Sequence, residues 1–277
     1  MALLALAFGI MLPTATPTLA QPLGIEAVAD RLIAAYPAFL ERRQGNALVW
    51  RDGKHTALDD ALGPKTPAQR LDNPDLKDML ADPYPVGTAP PPARNVDPGR
   101  ARNADFFTAM YGDCLKGEVR KNLVPVVWLP KKWGGALQVT RVNGVAERLA
   151  AVSAELDALP ARFDVYLFPA AGTYNCRTIA GTERVSPHGL GIAIDISTKE
   201  SDYWRWGKPG ADGQPVYRNR IPPEIVAIFE KHGLRYHALR VSPGVSAGAV
   251  KSSQLRCEQG RGPAPARGDT PGNPRLL

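Results

Sequence analysis

The succession of residues 123–160 constrains the fold of this chain most strongly. Two short apolar segments, LVPVVWLP and LQVTRV, are typical of β-strands, and the second places alternate side chains on two faces. A helix is predicted directly after them, capped by Asn143 and ended by Pro160. Its apolar residues recur at steps of four and three, at Val145, Leu149, Val152, Leu156 and Leu159. Because strands and helices do not alternate regularly along the chain, we predict an α+β fold rather than a doubly wound sheet.

Fewer elements can be predicted in the rest of the chain. They are a helix within residues 25–43, a hairpin within residues 46–60 that turns at Asp52-Gly53, a strand at DVYLFP (164–169), and a helix from Pro222-Pro223 to Gly233. Residues 66–102 are rich in proline, aspartate and arginine and show little periodicity, so we expect an extended wrap or linker there. The predicted division is an N-terminal extension and linker at residues 21–104, followed by one main domain at residues 105–233.

The first twenty residues are typical of a secretory signal. An uncharged apolar run covers residues 2–12, and small residues follow up to Ala20. The run is shorter than the roughly 20 residues that a membrane span needs. Although no Lys or Arg precedes it, we expect cleavage after Ala20 and export to the periplasm or cell wall. No later stretch is long and apolar enough to predict a membrane span.

The positive charge is concentrated near the C-terminus. The chain carries a net charge of +7, and residues 238–277 hold six basic residues against two acidic ones. The remaining excess is small and spread over a domain, which is typical of a solvated surface and gives no reason to expect a nucleic-acid partner. Residues 234–277 are rich in Gly, Pro, Ser and Arg, and we predict a disordered tail. A protein that binds anionic surfaces through this tail is a further alternative.

Two of the three cysteines lie in segments that are predicted to fold. An oxidising compartment would allow Cys114 and Cys176 to form a disulfide, but their spacing alone leaves them either paired or free. Cys257 lies in the basic tail and has no evident partner.

The segment SPHGLGIAID, residues 186–195, carries the most chemistry. Its alternation predicts a strand that turns three isoleucines to the core and Asp195 to the opposite face. A carboxylate on an otherwise apolar strand needs a cation, hydrogen-bond donors or solvent to offset its desolvation. His188 precedes two glycines that allow a bend, and Gly191 has no side chain to fill the space beside Asp195, so a metal ion could be held there. On spacing alone, a loop histidine and a solvent-facing aspartate remain the commoner explanation.

The pattern Ser186-x-His188-x-x-Gly191-x-Ala193-x-Asp195 resembles the signature of the VanY-type D-alanyl-D-alanine carboxypeptidases, zinc metallopeptidases related to hedgehog N-terminal domains. The similarity runs over residues 106–233 and includes LVPVVWLP, VTRVNGV, AGTYNCR and SDYWRW. It implies a single hedgehog/DD-peptidase-like domain, a small antiparallel sheet with flanking helices. It also implies zinc bound by His188 and Asp195, and hydrolysis of peptidoglycan stem peptides.

The same resemblance implies an arginine upstream of the motif that stabilises the oxyanion. Arg177, in YNCRTIAG, is the better match, and Arg184 is the second candidate. Taken singly, each of them could equally be a surface or structural arginine.

The chain departs from the family pattern at the third zinc ligand. The family takes this ligand from a histidine near the C-terminus, three residues after an acidic general base, and a catalytic zinc needs three protein ligands. His232 lies at a predicted helix end, where a cation offsets the helix dipole. His237 is the candidate ligand, but Leu234 stands where the acid is expected.

The change in sequence character after Gly233 suggests a hypothesis for this departure. The tail has the composition of a G+C-rich gene translated out of frame, so a frameshift would have replaced the last strands and the third ligand. Reading the other two frames beyond codon 233 tests it, since one of them should encode an acid-x-x-His element. We expect such a chain to bind zinc poorly and to be inactive. The alternative function is a catalytically dead domain that still binds peptidoglycan peptides.

Overall fold

Two small antiparallel sheets and six α-helices make up the described part of the chain. The computed structural model describes residues 23–81, 87, 101–179, 182–200 and 220–235. The strands are β1 (Leu40–Gln44), β2 (Ala47–Trp50), β3 (His55–Ala57), β4 (Leu123–Trp128) and β5 (Gly135–Thr140). The helices are α1 (Ile25–Ala35), α2 (Pro67–Asp72), α3 (Ala104–Tyr111), α4 (Val145–Asp157), α5 (Asp164–Leu167) and α6 (Pro223–Lys231). This mixture confirms the α+β class, and the hedgehog/DD-peptidase-like domain stays a prediction.

The first sheet has the order β1-β2-β3 and lies next to α1. Strand β2 pairs with β3 from Ala47↔Ala57 to Val49↔His55. Gly53 adopts a φ of +83° in the connecting turn, a conformation that glycine reaches without steric cost. The hairpin predicted to turn at Asp52-Gly53 is therefore confirmed.

The second sheet pairs β4 with β5 and packs against α4. Its register runs without a break from Leu123↔Thr140 to Trp128↔Gly135. Alternate side chains of the two strands are buried beneath α4, namely Val126, Trp128, Leu137 and Val139. The predicted strands and the predicted helix are therefore confirmed. Their buried residues recur at the spacing expected of a strand and of a helix, respectively.

The predicted cap of α4 is wrong. Gly144 is the N-cap, with a φ of +68°, and no side chain makes a capping hydrogen bond to the first turn. Asn143 also has a positive φ, +57°, and its Nδ2 donates to the Tyr111 hydroxyl over 3.1 Å. The left-handed turn between β5 and α4 therefore directs the asparagine side chain to α3.

The predicted strand at residues 164–169 is also wrong. The chain forms a 3-10 turn at Ala161–Phe163 and continues into α5, Asp164–Leu167. Phe163 and Leu167, four residues apart, are both buried, as they would be on one side of a helix. The Leu167 carbonyl accepts a hydrogen bond of 3.1 Å from the Trp128 indole, which attaches α5 to the end of β4.

Helix α6 begins after Pro222 and ends before Gly233, as predicted. Ile225 and Phe229 are fully buried, and the Phe229 ring lies 6.3 Å from that of Trp128. Gly233 has a φ of +73°, and its N–H donates to the Glu230 carbonyl over 2.9 Å. The helix therefore packs on the same core as α4 and β4.

Residues on both sides of the proposed boundary at 104/105 share one core. The Phe106 ring of α3 lies 5.6 Å from Tyr36 and 5.3 Å from Trp50. Within the expected linker, Thr66 caps helix α2, and a 3-10 turn follows at Asp78–Leu80. That part of the linker is thus regular rather than extended. No helix in the described ranges has the length and apolar character needed to cross a membrane.

Several predictions fall on residues that the structure does not describe. They concern the signal at residues 1–20, Cys257, His237 and all of the tail except residues 234 and 235. These stay predictions.

Candidate metal centre

The motif at residues 186–195 folds as a tight turn followed by an extended segment. Pro187–Leu190 forms a 3-10 turn that begins at Ser186, whose Oγ accepts from the His188 N–H over 3.4 Å. The segment after it forms one isolated bridge, Gly172↔Asp195, instead of the predicted continuous strand. The isoleucines 192, 194 and 196 are core residues as predicted, but Ala193 and Asp195 are buried as well. Asp195 therefore lies inside the protein and does not face open solvent.

Gly191 serves packing and does not provide space for an ion as the sequence suggested. Its φ is +68°, and a Cβ there would lie 2.8 Å from Leu123 Cδ2 and 3.0 Å from the Thr140 nitrogen. Its carbonyl accepts a hydrogen bond of 3.0 Å from the Thr140 N–H. The absence of a side chain thus lets the motif lie directly against the β4–β5 sheet.

His188 and Asp195 face each other in the interior. Their side chains are 5% and 6% exposed, and Nε2 of the histidine lies 3.4 Å from Oδ2 of the aspartate. The other ring nitrogen, Nδ1, lies 2.5 Å from the Thr173 carbonyl oxygen. A carbonyl can only accept, so Nδ1 is the donor in this contact, and Nε2 is the ring nitrogen that lies beside the carboxylate.

Two buried atoms of this pair make no hydrogen bond with the described residues: His188 Nε2 and Asp195 Oδ1. A charge-assisted hydrogen bond would normally be about 2.7 to 2.9 Å long, so Nε2 and Oδ2, 3.4 Å apart, are within ion-pair distance but form no hydrogen bond. Burying such atoms without a partner is costly. A cation placed between them would satisfy both.

The distance between His188 Nε2 and Asp195 Oδ2 also fits the coordination of zinc. Ligand atoms about 2.0 to 2.2 Å from a tetrahedral zinc ion lie about 3.4 Å from each other. The Nε2–Oδ2 separation is 3.4 Å. The donor types, an imidazole nitrogen and a carboxylate oxygen, are ordinary zinc ligands. His188 and Asp195 therefore fit two of the ligands of a zinc site.

Residues 171–176, which we call the strap, hold both of these residues. The Ala171 N–H donates to the Asp195 carbonyl, and the Asp195 N–H donates to the Gly172 carbonyl, each over 2.8 Å. The Asn175 N–H donates to the His188 carbonyl over 3.1 Å. The same strap supplies the Thr173 carbonyl that binds the histidine ring. Sequence reasoning missed this role, because backbone groups carry it and no side-chain pattern marks it.

The strap ends at a disulfide. Cys176 is bonded to Cys114, with a Cα–Cα distance of 5.7 Å. The structure thus contains the pair that the sequence left as either bonded or free. Cys114 also lies against the motif, since a Cβ on Gly189 would be 2.9 Å from its Sγ.

The two candidate arginines lie on a small hairpin that leads into the motif. Thr178 bridges Val185, the Ser186 N–H donates to the Arg177 carbonyl, and the Ile179 N–H donates to the Arg184 carbonyl. Arg184 Nε lies 3.9 Å from Asp72 Oδ1. Arg177 therefore stands opposite Ser186 on the hairpin, and its oxyanion role stays a prediction.

The other described histidines are separate from the motif. His232 Nε2 lies 2.6 Å from Glu155 Oε1, so it ties the end of α6 to α4. The pKa of Glu155 is lowered by the hydrogen bond from Lys231 and then by that from His232. His55 is exposed on β3. Neither residue supplies a third ligand to the described site.

One group of three potential ligands occurs among the described residues, formed by Asp59, Asp60 and Asp75. Lysine ammonium groups already neutralise these carboxylates. Lys65 Nζ lies 2.5 Å from Asp60, and Lys77 Nζ lies 2.7 Å from Asp59. The cluster is therefore an ion-pair network and a poor candidate for a metal site.

Residues 180–236 match a family model described as D-alanyl-D-alanine carboxypeptidase. This part of the chain is similar to a peptidase family. The match covers about a fifth of the chain, includes His188 and Asp195, and ends one position before His237. It supports a relationship to the superfamily of hedgehog domains and DD-peptidases. No curated protein and no solved structure matches the chain.

Proposed function

We propose that this chain is an exported zinc-dependent peptidase by descent, whose substrates are peptidoglycan stem peptides that contain D-amino acids. The observation that carries the proposal is the buried pair His188 and Asp195, whose Nε2 and Oδ1 atoms lack partners within the described residues. The pair lies inside the segment that is similar to the carboxypeptidase family. We further propose that the relationship is to the VanY type.

The residues around the pair prepare it to bind a cation. The Thr173 carbonyl holds the proton on Nδ1 of His188 and so keeps the Nε2 lone pair available as a ligand. The strap fixes the backbone on both sides, at the His188 carbonyl and at the Asp195 N–H. Bound zinc would supply Lewis acidity towards a peptide carbonyl. Arg177 is our candidate for stabilising the negative charge that develops on that carbonyl oxygen.

A second candidate function is a peptide-binding domain without catalysis. It is favoured because the groups of three potential ligands in the described residues do not include His188 or Asp195. The family match also stops before His237, the candidate third ligand. Loss of a general base alone typically lowers a rate by about 10² to 10⁴. We therefore expect weak zinc binding and slow release of D-alanine from this chain.

Zinc titration of the full chain against a chromophoric chelator tests the metal site. We expect one zinc per molecule, with at least about tenfold weaker binding in His188→Ala and in Asp195→Ala, because each removes one of two buried ligands. His55→Ala is the matched control and should bind as the unaltered chain does. Equal zinc affinity of the unaltered chain and His188→Ala would overturn the proposed site. His237→Ala should weaken binding only if this residue is the third ligand.

Two assays on the same preparations then separate the candidate functions. A zinc peptidase should release D-alanine from a stem pentapeptide, however slowly, and His188→Ala should abolish that release. A binding domain should sediment with isolated cell wall and release no D-alanine. Zinc binding without either of these results would refute the assignment to peptidoglycan peptides.

A further inference from the structure

We propose that the Cys114–Cys176 disulfide and Gly189 act together as a positioning device for His188, and thereby set the metal affinity of the site. This inference rests on the proposed metal site and adds a role for three residues that are not ligands.

The first argument concerns the strap. Cys176 is its last residue and lies three positions after Thr173, whose carbonyl binds His188 Nδ1 over 2.5 Å. The intervening Asn175 donates its N–H to the His188 carbonyl over 3.1 Å. One short backbone segment therefore orients both the ring and the main chain of the histidine. The disulfide fixes the end of that segment to Cys114, which follows α3 in the chain.

The second argument concerns the opposite side of the motif. A Cβ added to Gly189 would lie 2.9 Å from Cys114 Sγ and 2.8 Å from Val185 Cγ1. Real Cβ contacts essentially never reach such distances, so residue 189 must be glycine for the sulfur to lie there. The disulfide thus contacts the residue next to His188 directly, while it also anchors the strap that binds the imidazole.

The contacts of this disulfide should affect the metal site directly, in addition to any effect on the stability of the fold. Loss of a disulfide remote from a site would lower the free energy of unfolding and leave the folded site intact. Here the same bond ends the strap and packs against the motif, so its loss should free the histidine even in molecules that remain folded. Residues that orient a metal-binding histidine through its second nitrogen typically change affinity by about 10- to 100-fold.

The test uses the full chain in a Cys257→Ser background, which removes the cysteine outside the pair and prevents disulfide exchange. Four preparations are compared: Cys257→Ser alone, and the same chain with Cys114→Ser and Cys176→Ser, with Gly189→Ala, or with Gly24→Ala. Gly24→Ala is the matched control for Gly189→Ala, because a Cβ on Gly24 meets nothing within 4 Å. Far-ultraviolet circular dichroism identifies the folded preparations, and zinc affinity is measured only on these.

We expect the folded serine double variant and Gly189→Ala to bind zinc about 10- to 100-fold more weakly than Cys257→Ser alone. Gly24→Ala should show no change. Unaltered zinc affinity in a folded double variant, or in Gly189→Ala if the double variant does not fold, would overturn the proposal.

A metal-free readout separates this inference from the proposed function. In ¹⁵N-edited spectra of the zinc-free protein, His188 should show a proton held on Nδ1 in Cys257→Ser and a mixture of tautomers in the folded variants. If no preparation binds zinc, the proposed function fails, and these spectra still decide whether the disulfide orients His188. Identical His188 spectra in all preparations would refute the positioning role.

Discussion

Replacing Gly191 by alanine should destabilise the fold through two separable effects. The left-handed backbone, with a φ of +68°, costs an L-residue about 1 to 2 kcal/mol. The new Cβ would also lie 2.8 Å from Leu123 Cδ2 and 3.0 Å from the Thr140 nitrogen. The leucine side chain can move, but the Thr140 nitrogen is backbone within a paired strand, and such overpacking typically costs about 1 to 3 kcal/mol. We expect the free energy of unfolding to fall by about 2 to 5 kcal/mol in total.

A matched control isolates the contact from the backbone effect. Gly45 has a similar φ of +58°, and a Cβ there meets nothing within 4 Å. Urea denaturation followed by tryptophan fluorescence should therefore show that Gly191→Ala costs about 1 to 3 kcal/mol more than Gly45→Ala. Equal costs would refute the packing role of Gly191. Weaker zinc binding without extra destabilisation would instead mean that this glycine opens towards a metal, as the sequence first suggested.

Two further substitutions test polar groups of the core. Lys65→Met should cost about 3 kcal/mol at pH 7, because the 7% exposed ammonium pairs with Asp60 and Asp78. Lys54→Met breaks a solvent-exposed pair with Asp52 and should have a much smaller effect. The hydrogen bond from Lys65 lowers the pKa of Asp60, so this stabilisation is present above the ordinary carboxylate pKa of about 4 and is lost as the pH falls below it. Urea midpoints of the unaltered chain and Lys65→Met should therefore converge as the pH falls below about 4, and a constant difference would contradict the assignment. Ser153→Ala should cost about 1 to 3 kcal/mol in the same assay, because it leaves the buried Leu129 N–H without its 2.7 Å acceptor; a cost under about 0.5 kcal/mol would contradict this.

The sequence predicted elements well where the period of apolar residues and the end signals agree. Helix α4 has apolar residues at steps of four and three, and α6 has prolines at its start and Gly233 after its end. Strands β4 and β5 were predicted for the same reason. In each case the signal lies within the element or directly at its ends.

The wrong predictions arose where tertiary contacts decide the local conformation. Residues 164–169 are rich in residues that favour strands, yet Asp164–Leu167 form a helix that buries Leu167 beside Phe163, and Phe168 is extended after it. Asn143 is a plausible cap by residue type, but its side chain bonds to Tyr111 of α3 instead. The extended segment after Gly191 finds one bridge partner at Gly172 rather than a neighbouring strand.

In the candidate site, too, the sequence indicated the side chains but not the tertiary contacts of the backbone that hold them. Spacing alone left a metal site the less common explanation, and His188 and Asp195 were selected as ligands because their motif resembles that of a zinc peptidase family. Neither the spacing nor the motif could show that both side chains are buried, nor that a strap 12 to 24 positions upstream holds them. Burial makes the pair a candidate metal site. On the surface the same two residues would bond to water, whereas at 5% and 6% exposure the atoms without a hydrogen bond require another partner. The Thr173 carbonyl engages Nδ1 of the histidine and leaves Nε2 beside the carboxylate, so a cation placed between the two residues would serve both.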